Sequence, residues 1–477
     1  MKVQTYILLI ISLLAVCCHS GQTQNVQQCD FIKGMEGNPS VRCGKITVPE
    51  DHQNPNGRQI TMAYAILKAK NPKASKHPVI YFEGGPGAKN LFRPYIMYWM
   101  QNPLRNEHDV ILIDQRGLGH SSKLPNMSTE AFAICAKNAN EAEELALTRA
   151  LVEKYKAICA KKGIGLQHYN TAQNARDVGK LMKHLGYTKY NLYGASYGTR
   201  VARQVADLYP AYVHTVVMSA PAPMLGSFLK GRLESYSKSL DRILKYCEND
   251  PDNKAKYPNL RQNYLEAIEQ IRKQPIKVNF QKKPFFVNAQ DVTLLMRRVM
   301  YHNKSRKLVP RLIDAFKNKK EQPIIEAITQ EFYLNQFLNV TMLLSVEKYE
   351  NFDLNYTDRK IAKTYKKLSL LPVRLGFFDA LFRAGQNWHK GELPLKQRRF
   401  KMSAIPTLII VNQYDPVTPP LYGRWFMKHL SKGTLIVLDE GGHGGGNPAC
   451  LNKVRIAFMD NPTGKLDTSC MRLYKGK

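Results

Sequence analysis

Tyr190-Asn191-Leu192-Tyr193-Gly194-Ala195-Ser196-Tyr197-Gly198-Thr199 is an apolar run that breaks on a turn of small residues and resumes as a stretch reading as helix from Thr199 to Tyr209. In a strand-to-helix turn this tight, glycines two before and two after the serine keep neighbouring backbone clear and hold the hydroxyl at the tip. Ser196 is therefore the candidate nucleophile. A serine hydroxyl attacks poorly at neutral pH, so the chain must also supply a base to take its proton and an acid to orient that base.

Outward from this turn, short apolar runs bounded by glycine alternate with helical stretches. Arg42 to Val48 and Gln59 to Leu67 read as paired strands joined across the turn-rich Pro49 to Gly57. Pro78 to Phe82 ends in Glu83-Gly84-Gly85-Pro86-Gly87, and Asp109 to Ile113 runs into Asp114-Gln115-Arg116-Gly117-Leu118-Gly119-His120-Ser121. Thr171 to Leu185 reads as a crossover helix; Val213 to Met218 and Thr407 to Val411 continue the sheet, and Thr434 to Leu438 closes it. The pattern predicts an α/β fold with a mostly parallel, eight-stranded sheet buried on both faces. Between residue 222 and about residue 400 the apolar residues recur at helical spacing and strand-like runs largely disappear. This stretch reads as a helical cap inserted over the carboxyl ends of the strands. The expected organisation is core over 21–221, cap over 222–400 and core again over 401–477.

Residues 1–20 carry one charge, Lys2, then an apolar run from Tyr6 to Cys18, then small and polar residues. That is the layout of a secretory signal, too short for a membrane span. A secreted or periplasmic protein is expected, with a lipid anchor on Cys17 or Cys18 as the rival. The mature chain would keep seven cysteines, and export permits disulfides. Pairing of nearest neighbours, Cys29 with Cys43, Cys135 with Cys159 and Cys450 with Cys470, would close short loops and leave Cys247 free. No Cys-x-x-Cys or His-x-x-x-His spacing occurs, so neither a metal nor a cofactor is expected.

The formal net charge of +32 favours contact with anionic surfaces. The basic residues are spread rather than clustered and no nucleic-acid-binding motif occurs, which excludes nucleic acid as the expected partner. Oligomeric state is not legible. Asn126, Asn303, Asn339 and Asn355 stand in Asn-x-Ser/Thr sites, relevant only in a host that glycosylates exported proteins.

The two strands after the cap each end in a residue the serine needs. Tyr414-Asp415-Pro416 follows one, and Gly441-Gly442-His443-Gly444 follows the other. Ser196, Asp415 and His443 stand in the order of the α/β-hydrolases. The alternative position for the acid, after the Val213 strand, holds Ser219-Ala220-Pro221 and no carboxylate; Asp439 and Glu440 lie too close in sequence to His443. For the oxyanion, the amide of Tyr197 and one from Gly84 or Gly85 are the candidates.

Five stretches together, Gly84 to Gly87, Asp114 to Ser121, Gly194 to Thr199, Asp415-x-x-Thr418-Pro419 and Gly442-His443-Gly444, resemble the prolyl and tripeptidyl aminopeptidase family of α/β-hydrolases. The resemblance implies release of amino acids or short peptides from free N-termini, and it supports a Cys450–Cys470 bridge. Leu343 to Asn351 resembles a family segment of pattern Ser-Val-x-Cys-x-Glu-Asp, with Lys348 in place of the cysteine and Asn351 in place of the aspartate. Relatives also tend to carry a cysteine where this chain has Gly385. The resemblance implies Glu350 as the anchor of the substrate's ammonium group, with Glu347 and Asp353 as alternatives. A carboxylesterase or lipase-like hydrolase using the same three residues is the rival reading, since fold does not choose between amide and ester.

Overall fold

The computed structural model describes residues 29–71, 76–225, 228–352, 357–398 and 400–474. The secretory-signal reading of residues 1–20, together with Asp353 and Asn355, lies outside them. Eight strands form one sheet: β1 (Val41–Pro49), β2 (Gln59–Leu67), β3 (Lys76–Phe82), β4 (His108–Asp114), β5 (Tyr190–Ala195), β6 (Val213–Ser219) and, after the insertion, β9 (Thr407–Asn412) and β10 (Gly433–Leu438). Their order is β1-β2-β4-β3-β5-β6-β9-β10. β2 runs antiparallel to β1 and β4, and the other neighbours are parallel.

Alternation along the strands divides the interior in two, because successive side chains leave a strand on opposite faces. In β4, Ile111 and Ile113 join one apolar cluster while Val110 and Leu112 join the other. The first cluster continues without a break into the insertion through Leu233, Tyr236, Leu295 and Leu344. Cap and core are thus packed through a common apolar interior.

The insertion is mainly helical, but it also holds a hairpin absent from the sequence reading, β7 (Ile276–Phe280) and β8 (Lys283–Val287). Its end is stitched to the core: Asn288 Nδ2 donates to Lys137 O (2.8 Å), and Gln290 Nε2 donates to Ala139 O (2.8 Å). Packing and hydrogen bonds join the segments around Lys348 and Gly385, where the family resemblance implies cysteines. A Cβ on Gly385 would lie 2.4 Å from Leu344, and Trp388 Nε1 donates to Ser345 Oγ (2.9 Å).

Among the described residues two disulfides form, Cys29–Cys43 and Cys450–Cys470. The expected Cys135–Cys159 bridge does not: both thiols are free and buried, as is Cys247. Cys135 ends a helix and lies in the field of Glu144, near the start of the long helix Glu141–Lys161, whereas Cys159 is fifteen residues further along that helix. At 1.5 Å per residue the offset is about 22 Å, far beyond the ~7 Å that a disulfide spans between Cα atoms. No helix among the described residues is long and apolar enough to cross a membrane.

Candidate active site

The turn after β5 is built around contacts that only glycine permits. A Cβ on Gly194 would fall 2.5 Å from Gly198 O, and one on Gly198 would fall 2.0 Å from Phe82 O in β3. With both neighbours pressed close, Ser196 takes a left-handed backbone, φ +52, which L-residues adopt at a cost of about 1–3 kcal/mol. The conformation is held by Ser196 N donating to Ser219 O on β6 (2.9 Å) and by Thr199 N and Oγ1 donating to Ser196 O (3.0 and 2.6 Å).

β3 delivers the Gly84–Gly87 loop to the same place: a Cβ on Gly84 would lie 2.9 Å from Ser196 Cβ. The amide of Gly84 is already engaged, donating to Glu83 Oε1 (2.8 Å), a carboxylate also held by Tyr81 (3.0 Å) and Tyr95. Gly85 and Tyr197 keep amides with no acceptor among the described residues. The pair open to a ligand oxygen is therefore Gly85 with Tyr197.

Asp415 follows β9 and is fully buried. Its Oδ1 accepts from Val417 N (2.7 Å) and Thr418 N (2.9 Å), and its Oδ2 accepts from Thr418 Oγ1 (2.7 Å). His443 Nδ1 lies 2.8 Å from that same Oδ2. Burial alone would raise the Asp415 pKa; the adjacent imidazole and the Thr418 donors outweigh it and hold the carboxyl below its ordinary value. A carboxylate can only accept, so Nδ1 carries the proton and Nε2 is left as the free base.

Cap residues clasp the histidine loop. Gly442 N donates to His302 O (3.1 Å), a Cβ there would fall 1.7 Å from Met300 O, and Asn303 bonds Gly446 through both ends of its amide (3.2 and 3.0 Å). The Tyr301 ring stands edge-on to His443 at 4.9 Å. This clasp was not foreseen, and it occupies the side chain of one Asn-x-Ser site. Asn339, at another such site, is buried with its amide on Leu124 O (3.1 Å).

A narrow cavity of about 50 Å³ lies over Ser196. Gly85, Tyr197 and Thr418 line it from the core, and Arg200, Arg232 and Glu347 bring charge to it. Glu350 is elsewhere. Its Oε1 accepts from Thr171 N (2.5 Å), its Oε2 from Arg200 Nη1 (3.3 Å), and it lines a neighbouring cavity of about 330 Å³. Burial raises the Glu350 pKa despite Arg200. For Glu347, burial is overcome by Arg200 and Arg232, which keep its carboxyl below the ordinary value. Glu347 Oε2 accepts no hydrogen bond.

Sequence reading gave the Asp114-Gln115-Arg116-Gly117 stretch no role. Arg116 is fully buried and binds both oxygens of Asp177 (2.8 and 2.7 Å) together with the carbonyls of Glu50 (2.5 Å), His168 (2.8 Å) and Pro49 (3.3 Å). It locks the turn after β4 to the end of β1 and to the crossover helix Thr171–His184. An arginine in a glycine-rich turn after a wholly buried strand was the available signal.

A family model described as alpha/beta hydrolase fold matches residues 77–262, and one described as TAP-like protein matches residues 384–470. The tripeptidyl aminopeptidase of Streptomyces coelicolor is 30% identical over 189 residues, covering 38% of this chain and 35% of that protein. The serine protease Hip1 of Mycobacterium tuberculosis is 24% identical over 195 residues, 38% of this chain and 37% of that protein. The match thus spans little more than a third of either relative. The Escherichia coli protein YuaR, named only as a hydrolase, is 22% identical over 480 residues, covering 92% of this chain and 90% of that protein. The first matched segment holds the Ser196 turn and the Gly85 loop, and the second holds Asp415 and His443. The chain thus has the α/β-hydrolase fold, and its C-terminal segment is similar to the TAP-like proteins.

Proposed function

We propose that the protein is an exported serine peptidase releasing amino acids or short peptides from free N-termini through an acyl-enzyme. Ser196 Oγ attacks the carbonyl carbon while His443 Nε2 takes its proton. Asp415 orients the imidazole and stabilises the imidazolium, and the amides of Gly85 and Tyr197 hold the oxyanion. The imidazolium then protonates the leaving amine, and water repeats the sequence on the acyl-enzyme. The two disulfides support an oxidising compartment.

The observation that carries the peptidase half of this reading is Glu347. A chain of net charge +32 repels an ammonium group at long range, so a local anion is needed to bind one. Glu347 is a buried carboxylate in the wall of the serine cavity whose Oε2 is left unsatisfied among the described residues, and an ammonium group brings three donors. The anchor proposed here is accordingly Glu347; Glu350, the residue implied by family resemblance, is committed to Thr171 and Arg200.

The test is a panel of chromogenic amides with free and acylated N-termini, run beside p-nitrophenyl esters. Acylating the amine should abolish amide turnover while esters are still cut. Equal turnover of free and acylated amides would overturn the aminopeptidase reading, and ester cleavage without amide cleavage would make the protein an esterase.

A further inference from the structure

Two guanidinium groups, Arg200 and Arg232, line the serine cavity, a third, Arg297, lies in the field of Arg232, and the three are not equally paired. Arg200 is bonded through every nitrogen: Nε to Ala222 O (3.0 Å), Nη1 to Glu350 (3.3 Å) and Nη2 to Glu347 (3.4 Å). Arg232, from the helix Phe228–Asn249, lines the cavity in a different state. Its Nη1 donates to Phe228 O (3.0 Å), its Nη2 stops 3.6 Å from Glu347 Oε1, and its buried Nε donates to nothing. In Arg116 the same Nε/Nη2 edge grips both oxygens of Asp177. In Arg232 that edge has no hydrogen-bonded acceptor among the described residues: Nε is shielded and unsatisfied, and Nη2 has only the loose contact with Glu347.

Packing rather than pairing fixes the group. The Arg232 guanidinium carbon lies 3.7 Å from the centre of the Phe228 ring and 5.5 Å from that of Phe378. Arg297, 4.5 Å from the centre of the same Phe378 ring, is only 4% exposed, faces the rings of Phe378 and Tyr301, has no ion pair among the described residues and leaves its Nε unbonded. Burial, together with Arg297 and Arg200 against the one carboxylate of Glu347, pushes the Arg232 pKa down to about 10, still cationic at neutral pH. An excess of positive charge in an apolar wall is costly unless an anion joins it.

We propose that the Nε/Nη2 edge of Arg232, with Arg297 behind it, is a subsite for a carboxylate of the substrate. The planar fork matches the two oxygens of a carboxylate. The cavity is narrow and the same walls hold Ser196 and Gly85, so the bound carboxylate lies within about a side chain's length of the cut bond. Glu347 takes the ammonium and Arg232 the carboxylate of one zwitterionic substrate. The ammonium part of that statement rests on the peptidase reading; the carboxylate part does not. Two sources share this chemistry, an Asp or Glu side chain and the peptide's own C-terminus.

The experiment uses isosteric pairs with the whole protein. Glutamyl against glutaminyl p-nitroanilide tests the side chain with no C-terminal carboxylate present. Dipeptides with free against amidated C-termini test the terminus. A charge-assisted pair of hydrogen bonds corresponds to about 10- to 100-fold in kcat/KM, so one of the two pairs should favour the acid by that factor and thereby name the source. Arg232→Gln should bring the ratio near one, and Arg232→Lys, which keeps the charge and loses the fork, should fall between. Ratios at or below one on both pairs for the unmodified protein overturn the proposal, whether or not the variants fold. If no amide is cut, the peptidase reading fails by itself, and the p-nitrophenyl monoester of glutaric acid must still beat its monoamide counterpart. If neither ester is cut, glutarate must slow fluorophosphonate labelling of Ser196 more than glutaramide does; equal slowing overturns the subsite.

Discussion

Arg116 under the sheet and Arg232 in the cap are both enclosed guanidinium groups, yet Arg116 satisfies all five of its N–H donors and Arg232 leaves its best edge empty. The difference follows from what each region must hold still. The turns after β3, β5, β9 and β10 carry the candidate catalytic groups, and the turn after β4 beside them is held by a dense set of hydrogen bonds. Asp114 illustrates this, accepting from the amides of Asn90 (2.7 Å), Leu91 (3.0 Å) and His120 (2.7 Å). The cap instead stacks Arg232 and Arg297 on aromatic rings and leaves the Nε of each without an acceptor among the described residues. Paired charge makes a scaffold, and unpaired charge makes a receptor.

That contrast requires chemistry to fail when the core is altered and selectivity to change when the cap is altered. Ser196→Ala should lower kcat on every substrate by on the order of a millionfold and abolish fluorophosphonate labelling, with little change in melting temperature. Labelling that persists at another serine would break the assignment. Asp415→Asn should follow at about ten-thousandfold, because the amide lets His443 settle in the wrong tautomer. Thr418 and the backbone amides keep the side chain in place, so a large loss of stability in Asp415→Asn would mean the residue is structural.

Stability tests the two arginines against each other. Arg116→Met leaves buried Asp177 with His52 (2.7 Å) as its remaining side-chain partner and should cost about 3 to 5 kcal/mol in urea unfolding. Arg232→Met removes a charge that lacks a full partner while Glu347 keeps Arg200, so unfolding should be unchanged or slightly harder. Equal destabilisation by both substitutions would erase the distinction between scaffold and receptor.

The core was legible because each strand announces itself twice, by apolar run and by bounding glycine, and because the Ser196 turn has steric demands that only its glycines meet. The cap was legible as helix but not in detail. The β7–β8 hairpin turns at Gln281-Lys282, both at positive φ without glycine or asparagine, so no turn residue marked it, although Ile276, Val278 and Phe280 alternate as a strand should. Cysteine counting paired Cys135 with Cys159 because sequence separation hides the length of the rigid helix between them. Glu347 and Glu350 are three apart on one helix and both meet Arg200, and spacing cannot say which lines the serine cavity and which accepts from Thr171.

That last choice can be sharpened directly. Glu347→Gln should raise KM and lower kcat/KM by about 10- to 100-fold on free-amine amides, the range for a lost charge-assisted contact, and leave small neutral esters nearly unaffected. Glu350→Gln removes a partner from Arg200 and weakens a contact to the start of the helix Thr171–His184, so its loss should fall on amides and esters alike. Reversal of these two patterns would return the anchor to Glu350.

The smallest effect lies where cap and core meet. Glu144 on the helix Glu141–Lys161 and Asp291 on the cap helix Ala289–Val299 are buried, and each leaves one carboxyl oxygen without a hydrogen bond. Burial raises both pKa values, and the charge of Asp291 raises that of Glu144 further. The folded protein therefore keeps protons that the unfolded chain releases just above its ordinary carboxylate range. Stability must then fall as pH rises from about 5 through the raised folded values, the opposite of an ordinary paired carboxylate. Glu144→Gln stays neutral throughout and spares Asp291 its neighbour's charge. The variant should match the parent in urea midpoint at pH 5, exceed it by about 1 to 2 kcal/mol at pH 8, and show a flatter slope between. Parallel slopes for the two proteins would mean that the pair is already ionised in the folded state, and the cap would then hold fixed charge at its seam with the core as well as over the serine.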